Sequence, residues 1–294
     1  MTLPRRRRDD FEDNRSYEYP QHLREAIEDA PTGAGVYTFH GQEGDLPLYI
    51  GKSVDIRARV LSHLRTPDEA KMIAQTRQID FIETAGEIGA LLLEARLIKE
   101  QSPLFNQRLR RSRSLFSIRL NPSPAGLIPE VIDCRALKLG SMPGLYGLFK
   151  SSHAAKTKLK DLAQQHMLCL ASLGLEKTST RGCFSLQLKK CLGACVGQEE
   201  RVVHDDRLLS ALLDMHIETW PYPGPVDLIE EADGWVQRHR VDNWCYLGTH
   251  CSKKGELSLL NDFKPMDFDL DSYKILVRPM MLGAIKIEAV APAV

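Results

Sequence analysis

The sequence GVYTFHGQEGDLPLYIGK, residues 35–52, contains two short runs of β-branched and aromatic residues. The first run is Gly35–His40, the second is Leu46–Ile50, and a loop with two glycines joins them. This arrangement predicts a β-hairpin. Because neighbouring antiparallel strands bring side chains together on one face of a sheet, Tyr37 and Tyr49 can lie side by side there.

A helix is predicted directly after the hairpin, because apolar residues recur there at helical spacing. Arg59 and His63 lie four residues apart in this segment and therefore share a second face of the helix. The residues of the apolar face are Ile56, Val60, Leu61 and Leu64.

Further along, the pattern predicts a third strand, Ile79–Ile82, and a long apolar helix, Gly86–Gln101, which Pro103 ends. Glu94 lies inside the apolar run of this helix, where an unpaired buried carboxylate would be unfavourable. Asn106 follows shortly after the proline. The pattern alone leaves two interpretations of Glu94 open, a solvated stripe on the helix and a functional carboxylate.

The chain divides by charge and pattern into four parts. We predict an N-terminal arm over 1–30, a first domain over 31–113, a middle region over 114–200 and a C-terminal module over 201–294. The expected class is α+β, with a central antiparallel three-stranded sheet and flanking helices in the first domain, a cysteine-rich region, and a small α+β module. The later predicted elements are strands at Leu115–Leu120, Leu127–Ile132 and Leu145–Phe149, helices at His153–Met167 and 199–220, and strands at Tyr273–Val277 and Ile285–Val290.

Charge is distributed unevenly along a chain that is neutral overall. Lys and Arg number 39, as do Asp and Glu, which excludes a uniformly basic nucleic-acid binder. Between Arg135 and Lys190, however, ten basic residues face two acids, whereas the sequence from Glu199 onward is rich in acids. One interpretation is that the basic middle region binds DNA and the acidic C-terminal module binds a protein partner. The other is that these charges lie on solvated helix faces.

We expect a cytoplasmic protein without a membrane span. No stretch approaches eighteen consecutive apolar residues. The N-terminal run Arg5–Arg8 is followed by acids rather than by the apolar segment of a secretory signal.

Four of the seven cysteines crowd into the middle of the chain, at Cys169, Cys183, Cys191 and Cys195. Only the last two have a spacing close to that of a zinc knuckle. Four thiolates in a loop-rich segment would equally suit an iron–sulfur cluster. Free buried thiols are the third possibility that the spacing allows.

The first domain resembles the GIY-YIG nuclease superfamily. Its motif corresponds to Gly35-Val36-Tyr37 and Tyr49-Ile50-Gly51, with Val36 in place of the usual isoleucine. The helix Arg, the helix His or Tyr, the metal-binding Glu and the late Asn of that family correspond to Arg59, His63, Glu94 and Asn106, respectively.

A narrower resemblance, to the N-terminal half of the excinuclease subunit UvrC, covers about residues 30–200. It is carried by Leu48–Ser53, Leu93–Lys99, Pro103–Asn106, Leu145–Phe149 and the cysteines. This resemblance implies a DNA repair endonuclease that cuts on the 3′ side of a lesion and acts on damaged double-stranded DNA bound by UvrB, with UvrA upstream. It also implies one Mg²⁺ or Mn²⁺ at Glu94 and a [4Fe–4S] cluster on the four central cysteines.

The resemblance and the local charges together give the expected site residues. Lys52 and a basic run at the end of the first domain are expected to contact phosphate. Which tyrosine takes a proton stays open. Expected in catalysis are Tyr37, Tyr49, Lys52, Arg59, His63, Glu94 and Asn106, and in DNA binding Lys52, Arg57, Arg108, Arg110, Arg111 and Arg113. The alternatives are a nuclease that needs no partner and an inactive nucleic-acid-binding adaptor.

Overall fold

The computed structural model describes residues 22–42, 47–106, 115–134, 139–252 and 268–290. Most of the predicted N-terminal arm and four predicted DNA contacts, Arg108, Arg110, Arg111 and Arg113, lie outside the described residues. The fold is α+β, as predicted. In the described part of the chain, no helix is both long enough and apolar enough to span a bilayer.

The first domain is built on the predicted three-stranded antiparallel sheet. Its strands are β1 (Gly35–His40), β2 (Pro47–Ser53) and β3 (Gln78–Glu83), in the spatial order β2-β1-β3. Four helices accompany the sheet: α1 (His22–Glu28), α2 (Ile56–Arg65), α3 (Ala70–Gln75) and α4 (Glu87–Gln101).

Helix α2 begins where the sequence provides a cap for it. The Asp55 side chain accepts a hydrogen bond from the amide of Ala58 over 2.9 Å, which satisfies one of the free amides of the first turn. The apolar face, which includes Ile56, Val60 and Leu64, is buried against the sheet. This packing fixes the direction in which the rest of the helix presents Arg59 and His63.

The middle region has a sheet of its own, with strand order β5-β4-β6. The strands are β4 (Phe116–Ser123), β5 (Gly126–Asp133) and β6 (Leu145–Phe149), and helix α5 (Ser152–Gln165) shares a core with them. Helix α7 (Arg201–Leu212) belongs to the same core, although it lies beyond the boundary predicted at residue 200. The cysteine loops between these helices contain a two-stranded pair, β7 (Thr178–Ser179) and β8 (Gly182–Cys183), and one helical turn, α6 (Phe184–Gln187).

In the part of the C-terminal module that the structure describes, a four-stranded sheet is accompanied by one helix. The strand order is β11-β10-β9-β12, formed by β9 (Val226–Ala232), β10 (Trp235–Asp242), β11 (Cys245–Cys251) and β12 (Lys286–Ala289). Helix α8 (Leu270–Met281) covers it.

Two predicted elements of this half differ from the structure. The strand predicted at Tyr273–Val277 is wrong, because these residues form the middle of α8, capped by Asp269. Tyr273, Leu276 and Met280 recur at helical spacing and are buried, which outweighs the strand preference of the β-branched residues between them. The helix predicted over 199–220 ends at Leu212 and continues as one 3₁₀ turn.

Helix α4 lies between the first sheet and the C-terminal module. Leu93, Leu97 and Ile98 pack with residues of the first sheet and with Cys251 of β11. Leu92 belongs to the core that includes the C-terminal sheet and α8. The helix that carries Glu94 is therefore buried by both parts of the chain.

Candidate active site and cysteine cluster

The two motif tyrosines lie on one face of the first sheet, as predicted. Tyr37 pairs with Gly51 and Phe39 with Tyr49 in the β1–β2 ladder, so the tyrosines are diagonal neighbours with ring centroids 6.2 Å apart. A side chain at position 51 would overlap both phenol rings. Glycine is required there because the rings occupy the space of its missing Cβ.

A chain of hydrogen bonds leads from Tyr37 into the protein. Its hydroxyl lies 2.6 Å from His63 Nε2, and His63 Nδ1 lies 2.5 Å from a carboxylate oxygen of Glu69. Because a carboxylate can only accept, Nδ1 carries the proton and Nε2 accepts from the tyrosine. Burial lowers the pKa of His63, which favours this neutral form.

Glu69 was not found by sequence reasoning. It lies in a 3₁₀ turn, Pro67–Glu69, six residues after His63, and no helical or strand period relates the two. The turn alone brings its carboxylate back to the imidazole. A signal for it would have been the acid pair that follows Pro67 directly after the helix.

The environments of the two phenols differ. Tyr37 is 1% exposed, whereas Tyr49 is only partly buried. Burial is the main cause that raises the pKa of Tyr37, and a hydrogen bond from Arg59 partly opposes it. Burial also raises the pKa of Tyr49, with a further contribution from the charge of Glu94 and an opposing one from Arg59. Both hydroxyls are therefore protonated in the resting protein, and Arg59 is the cation that favours their ionisation.

Glu94 points from α4 towards the end of β2, where one carboxylate oxygen accepts the amide hydrogen of Lys52 over 3.1 Å. Burial raises the pKa of this carboxyl to about 7, although the Lys52 amide and the charges of Lys52 and Arg59 lower it. A half-buried carboxylate with one oxygen still available suits a hard divalent cation that keeps most of its water ligands. In the described part of the chain, the one group of three or more potential ligands is made of cysteines, so Glu94 would act as a single protein carboxylate.

The other expected site residues lie at the border of this face. The Lys52 ammonium pairs with Glu87 of α4 at 2.6 Å. Asn106 lies beside β2: its side-chain amide accepts from and donates to the backbone of Ile50, both over 2.8 Å, and thereby holds β2 in place. The structure thus brings Tyr37, Tyr49, Lys52, Arg59, His63 and Glu94 together, and Asn106 is bonded to the backbone of β2, the strand that carries Tyr49.

Arg57 was expected to contact DNA, but its guanidinium has structural partners. It donates to the backbone oxygens of Ala30 and Glu28, over 2.8 and 2.9 Å. Glu28 is the last residue of α1 and Ala30 follows two residues later, and the last turn of α1 contains no basic residue. The side chain therefore helps to cap α1 while remaining partly exposed.

The four central cysteines converge, as expected for a metal centre. The Sγ atoms of Cys169 and Cys183 are 3.8 Å apart, and those of Cys183 and Cys191 are 3.6 Å apart. The ligand atoms of Cys169, Cys183 and Cys195 all lie within 4.8 Å of one another. The other three cysteines lie elsewhere, Cys134 and Cys251 in separate apolar cores.

The thiols differ in how readily they ionise. Burial opposes ionisation of Cys169, but hydrogen bonds from Ser172 and Cys195 lower its pKa to about 7. Burial raises the pKa of Cys183, Cys191 and Cys195. A bound metal cation would favour the ionised form of these three thiols instead, since thiolates are the metal ligands. His204 of α7 accepts the amide hydrogen of Cys169 over 3.1 Å and anchors the first loop of the cluster.

Three family models match consecutive parts of the chain. The UvrC-like GIY-YIG domain matches residues 33–107, the middle domain of UvrC/Cho excinuclease matches 115–214, and the C-terminal domain of excinuclease Cho matches 225–294. The resemblance inferred from the motifs is confirmed.

Individual proteins agree with these matches. Excinuclease Cho of Escherichia coli O157:H7 is 47% identical over 294 residues, which cover 100% of this chain and 97% of that protein. The UvrABC system protein C of Rhodopseudomonas palustris is 33% identical over 178 residues, or 59% of this chain and 25% of that protein. The solved GIY-YIG N-terminal endonuclease domain of UvrC from Thermotoga maritima, bound to magnesium as its catalytic divalent cation, is 31% identical with a TM-score of 0.28, covering 30% of this chain and 98% of that one. Because close to half of all residues are identical over nearly the full length of both chains, this chain belongs to the excinuclease Cho family of UvrC-like repair endonucleases.

Proposed function

We propose that this chain hydrolyses one phosphodiester of the damaged DNA strand, on the 3′ side of a lesion, in a complex that UvrB has formed with the DNA. The observation that carries the proposal is the convergence of Glu94, Arg59 and the two phenols on one face of the β1–β2 hairpin. This group combines a carboxylate for a cation, a fixed positive charge and weak acids that can exchange protons. These are the components that phosphodiester hydrolysis requires.

In this proposal Tyr49 is the residue that takes the proton from the attacking water. Tyr37 is 1% exposed, so water reaches the partly buried Tyr49 more readily. The water oxygen forms a bond to phosphorus and the bond to the 3′ oxygen breaks. The departing 3′ oxygen takes up a proton from a solvent water molecule, so the products carry a 5′-phosphate and a 3′-hydroxyl. The proton that Tyr49 gains requires that its own phenol proton moves on, and the bonded pair of Tyr37 and neutral His63 is the available acceptor.

The charge that develops on phosphate needs compensation from fixed groups. Arg59 is exposed and lies next to both phenols, where its guanidinium can also meet two non-bridging oxygens at once. Glu94 would hold the divalent cation, which supplies Lewis-acid stabilisation of the phosphoryl and leaving oxygens when bound. Lys52 would contact a phosphate next to the reacting one after releasing Glu87.

The central cysteines are proposed to hold a [4Fe–4S] cluster, as the UvrC resemblance implies. A single zinc ion is the competing candidate, because sulfurs 3.6 and 3.8 Å apart match the edge of about 3.8 Å that a tetrahedron with 2.3 Å bonds has. Metal and sulfide analysis of anaerobically purified protein decides between them. About four irons and four sulfides per chain would support the cluster, whereas one zinc per chain without sulfide would show that the site is a zinc site.

Exposed cations surround the cysteine loops. Lys177, Arg181, Lys189 and Lys190 are exposed, and the nearby Glu176 is engaged by the amide of Phe184. We therefore assign these loops to the DNA backbone, where cations bind phosphate without reading sequence. We also propose that UvrB docks on the acidic C-terminal module. The proposed reaction takes place in the cytoplasm, where the DNA substrate is.

The proposal is tested with an end-labelled duplex that carries one lesion, Mg²⁺, and the purified chain with or without UvrA and UvrB. Incision of the damaged strand on the 3′ side that depends on both proteins is expected. Equal cutting of undamaged duplex without partners would replace the proposal with an independent nuclease. Binding without any cutting would indicate an adaptor.

A further inference from the structure

Helix α4, which carries Glu94, lacks a capping side chain of its own. The residue at its N-cap position is Gly86, which offers no hydrogen bond to the first turn. The cap comes instead from strand β9 of the C-terminal module. One oxygen of Glu230 accepts the amide hydrogen of Ile88 over 2.9 Å, and the other accepts that of Gly89 over 2.7 Å. A carboxylate at this end also interacts favourably with the helix dipole.

Glu230 is itself held by a buried polar chain. Its oxygen lies 3.0 Å from Nε2 of His239, whose Nδ1 lies 2.7 Å from the hydroxyl of Thr249. That hydroxyl also bonds to the phenol of Tyr246. With Nε2 as donor to the carboxylate, Nδ1 accepts from Thr249 and Thr249 accepts from Tyr246, so every group has a partner. A fully satisfied buried network of this kind fixes the position of Glu230.

Two glycines at the start of α4, the N-cap residue Gly86 and Gly89 in the first turn, make room for this contact. A Cβ on Gly89 would lie 2.8 Å from Cε1 of His239 and 2.9 Å from the side-chain oxygen of Gln237. A Cβ on Gly86 would overlap the Glu230 carboxylate. Gln237 also accepts the amide hydrogen of Ala85 over 3.0 Å. The sequence of α4 is therefore fitted to the C-terminal module at the turn where the helix begins.

The other end of α4 is held by the same module. The Lys99 ammonium lies 2.5 Å from Asp269 and 3.4 Å from Asp271, at the start of α8. Glu94 lies between the two anchored ends, about five residues or 7.5 Å along the helix from Gly89. The Glu94 carboxylate accepts the amide hydrogen of Lys52 in β2, so the position of α4 determines where this carboxylate stands.

We propose that Glu230 is a positioning residue for the cation site: by capping α4 across the module boundary, it sets where the Glu94 carboxylate stands relative to β2. This inference rests on the proposed function, because it assigns Glu94 to the cation. It gives the C-terminal module a part in metal binding, exerted through the position of α4.

The test compares full-length wild type with Glu230→Gln, which keeps the size of the side chain but offers one accepting oxygen instead of two. Two quantities are measured: Mn²⁺ binding by the quenching of its electron paramagnetic resonance signal, and the Mg²⁺ concentration that gives half-maximal cutting. Both should shift towards weaker binding by about tenfold, as is common when a supporting partner of a metal site is lost. The KM for DNA should be unchanged.

Glu288→Gln is the matched control. Glu288 lies on β12 of the same sheet and pairs with Arg238 and Lys286, away from α4. It should bind Mn²⁺ like wild type. Gly89→Ala, which displaces His239 and Glu230 without changing a charge, should reproduce the weaker metal binding of Glu230→Gln.

A purely structural role predicts a different result. Glu230→Gln and Gly89→Ala would then lower the melting temperature but leave metal binding of the folded protein unchanged, which overturns the inference. Glu94→Gln separates this outcome from failure of the proposed function. If Glu94→Gln abolishes Mn²⁺ binding and Glu230→Gln leaves it intact, only the positioning role is lost, whereas intact binding in Glu94→Gln contradicts both.

Discussion

The hydroxyl of Tyr37 donates a hydrogen bond to Nε2 of His63 across 2.6 Å, between side chains that are 1% and 2% exposed. Neither group can reach bulk solvent directly. The pair therefore works as a link between the partly buried Tyr49 and the carboxylate of Glu69, which accepts from the far side of the imidazole. In the proposed mechanism, Tyr37 would therefore carry a proton between its two neighbours.

Replacing His63 tests the link. His63→Phe keeps an aromatic ring of similar size but removes the acceptor of the Tyr37 hydroxyl. We expect kcat for incision to fall about 100-fold, the lower end of what a positioned proton acceptor contributes, while the KM for DNA stays the same. Glu69→Gln, which can still accept from Nδ1, should lose less activity. Wild-type kcat in His63→Phe would remove the imidazole from the proton route.

The raised pKa of Glu94 predicts how stability depends on pH in metal-free buffer. The carboxyl titrates at about 7 in the folded protein instead of at 4.5. Between these values the folded protein keeps a proton that the unfolded chain releases, so the free energy of unfolding falls as the pH rises and levels off above pH 7. In urea titrations with a chelator, Glu94→Gln should be more stable than wild type at pH 8 and equal to it near pH 4. If the free energies of unfolding of the two proteins changed in parallel between pH 4 and pH 8, the burial of the Glu94 charge would be contradicted.

Asn106 should matter for stability as well as for activity. Asn106→Ala removes both hydrogen bonds to the Ile50 backbone, at about 1 kcal/mol each, so the free energy of unfolding should fall by about 2 kcal/mol. Asn121→Ala, which removes one exposed hydrogen bond to Glu130, is the control and should stay within about 0.5 kcal/mol of wild type. Equal stability of the two variants in denaturant titrations would show that Asn106 does not hold β2.

The cysteine cluster should be required for the stability of the middle region. Cys183→Ser removes the sulfur closest to two others and should abolish metal incorporation and lower the melting temperature by several degrees. Cys245→Ser, outside the cluster, should retain both. Visible absorption, metal content and thermal unfolding measure the effects. A metal-loaded, wild-type-like Cys183→Ser protein would exclude the proposed centre.

The sequence predicts the first domain well because its signals are local. The hairpin runs, the helical spacing of Ile56, Val60 and Leu64, and the proline after α4 each act within a few residues. The facing tyrosines follow from strand pairing, which the two runs also determine. The strand predicted at Tyr273–Val277 is wrong, because local preference for strand yields to burial of a helical face against the C-terminal sheet.

Long-range partners could not be predicted from the sequence. Glu230 is 141 residues from the amide of Gly89 that it caps, and no spacing rule connects the two. The sequence shows no partner for Arg57, yet the fold places the carbonyls of Glu28 and Ala30, at and just after the end of α1, next to its guanidinium. Such assignments depend on the docking of whole elements, whereas residue patterns report only on neighbours along the chain.

The central claim, that Glu94 holds the cation that makes the β1–β2 face a nuclease, is tested most directly by cleavage of lesion-containing DNA by Glu94→Gln. With UvrA, UvrB and Mg²⁺ present, incision should fall about a thousandfold, as expected when several kcal/mol of charge stabilisation are lost. Binding of the variant to the UvrB–DNA complex should match wild type. Incision at the wild-type rate by a folded Glu94→Gln protein would contradict the account.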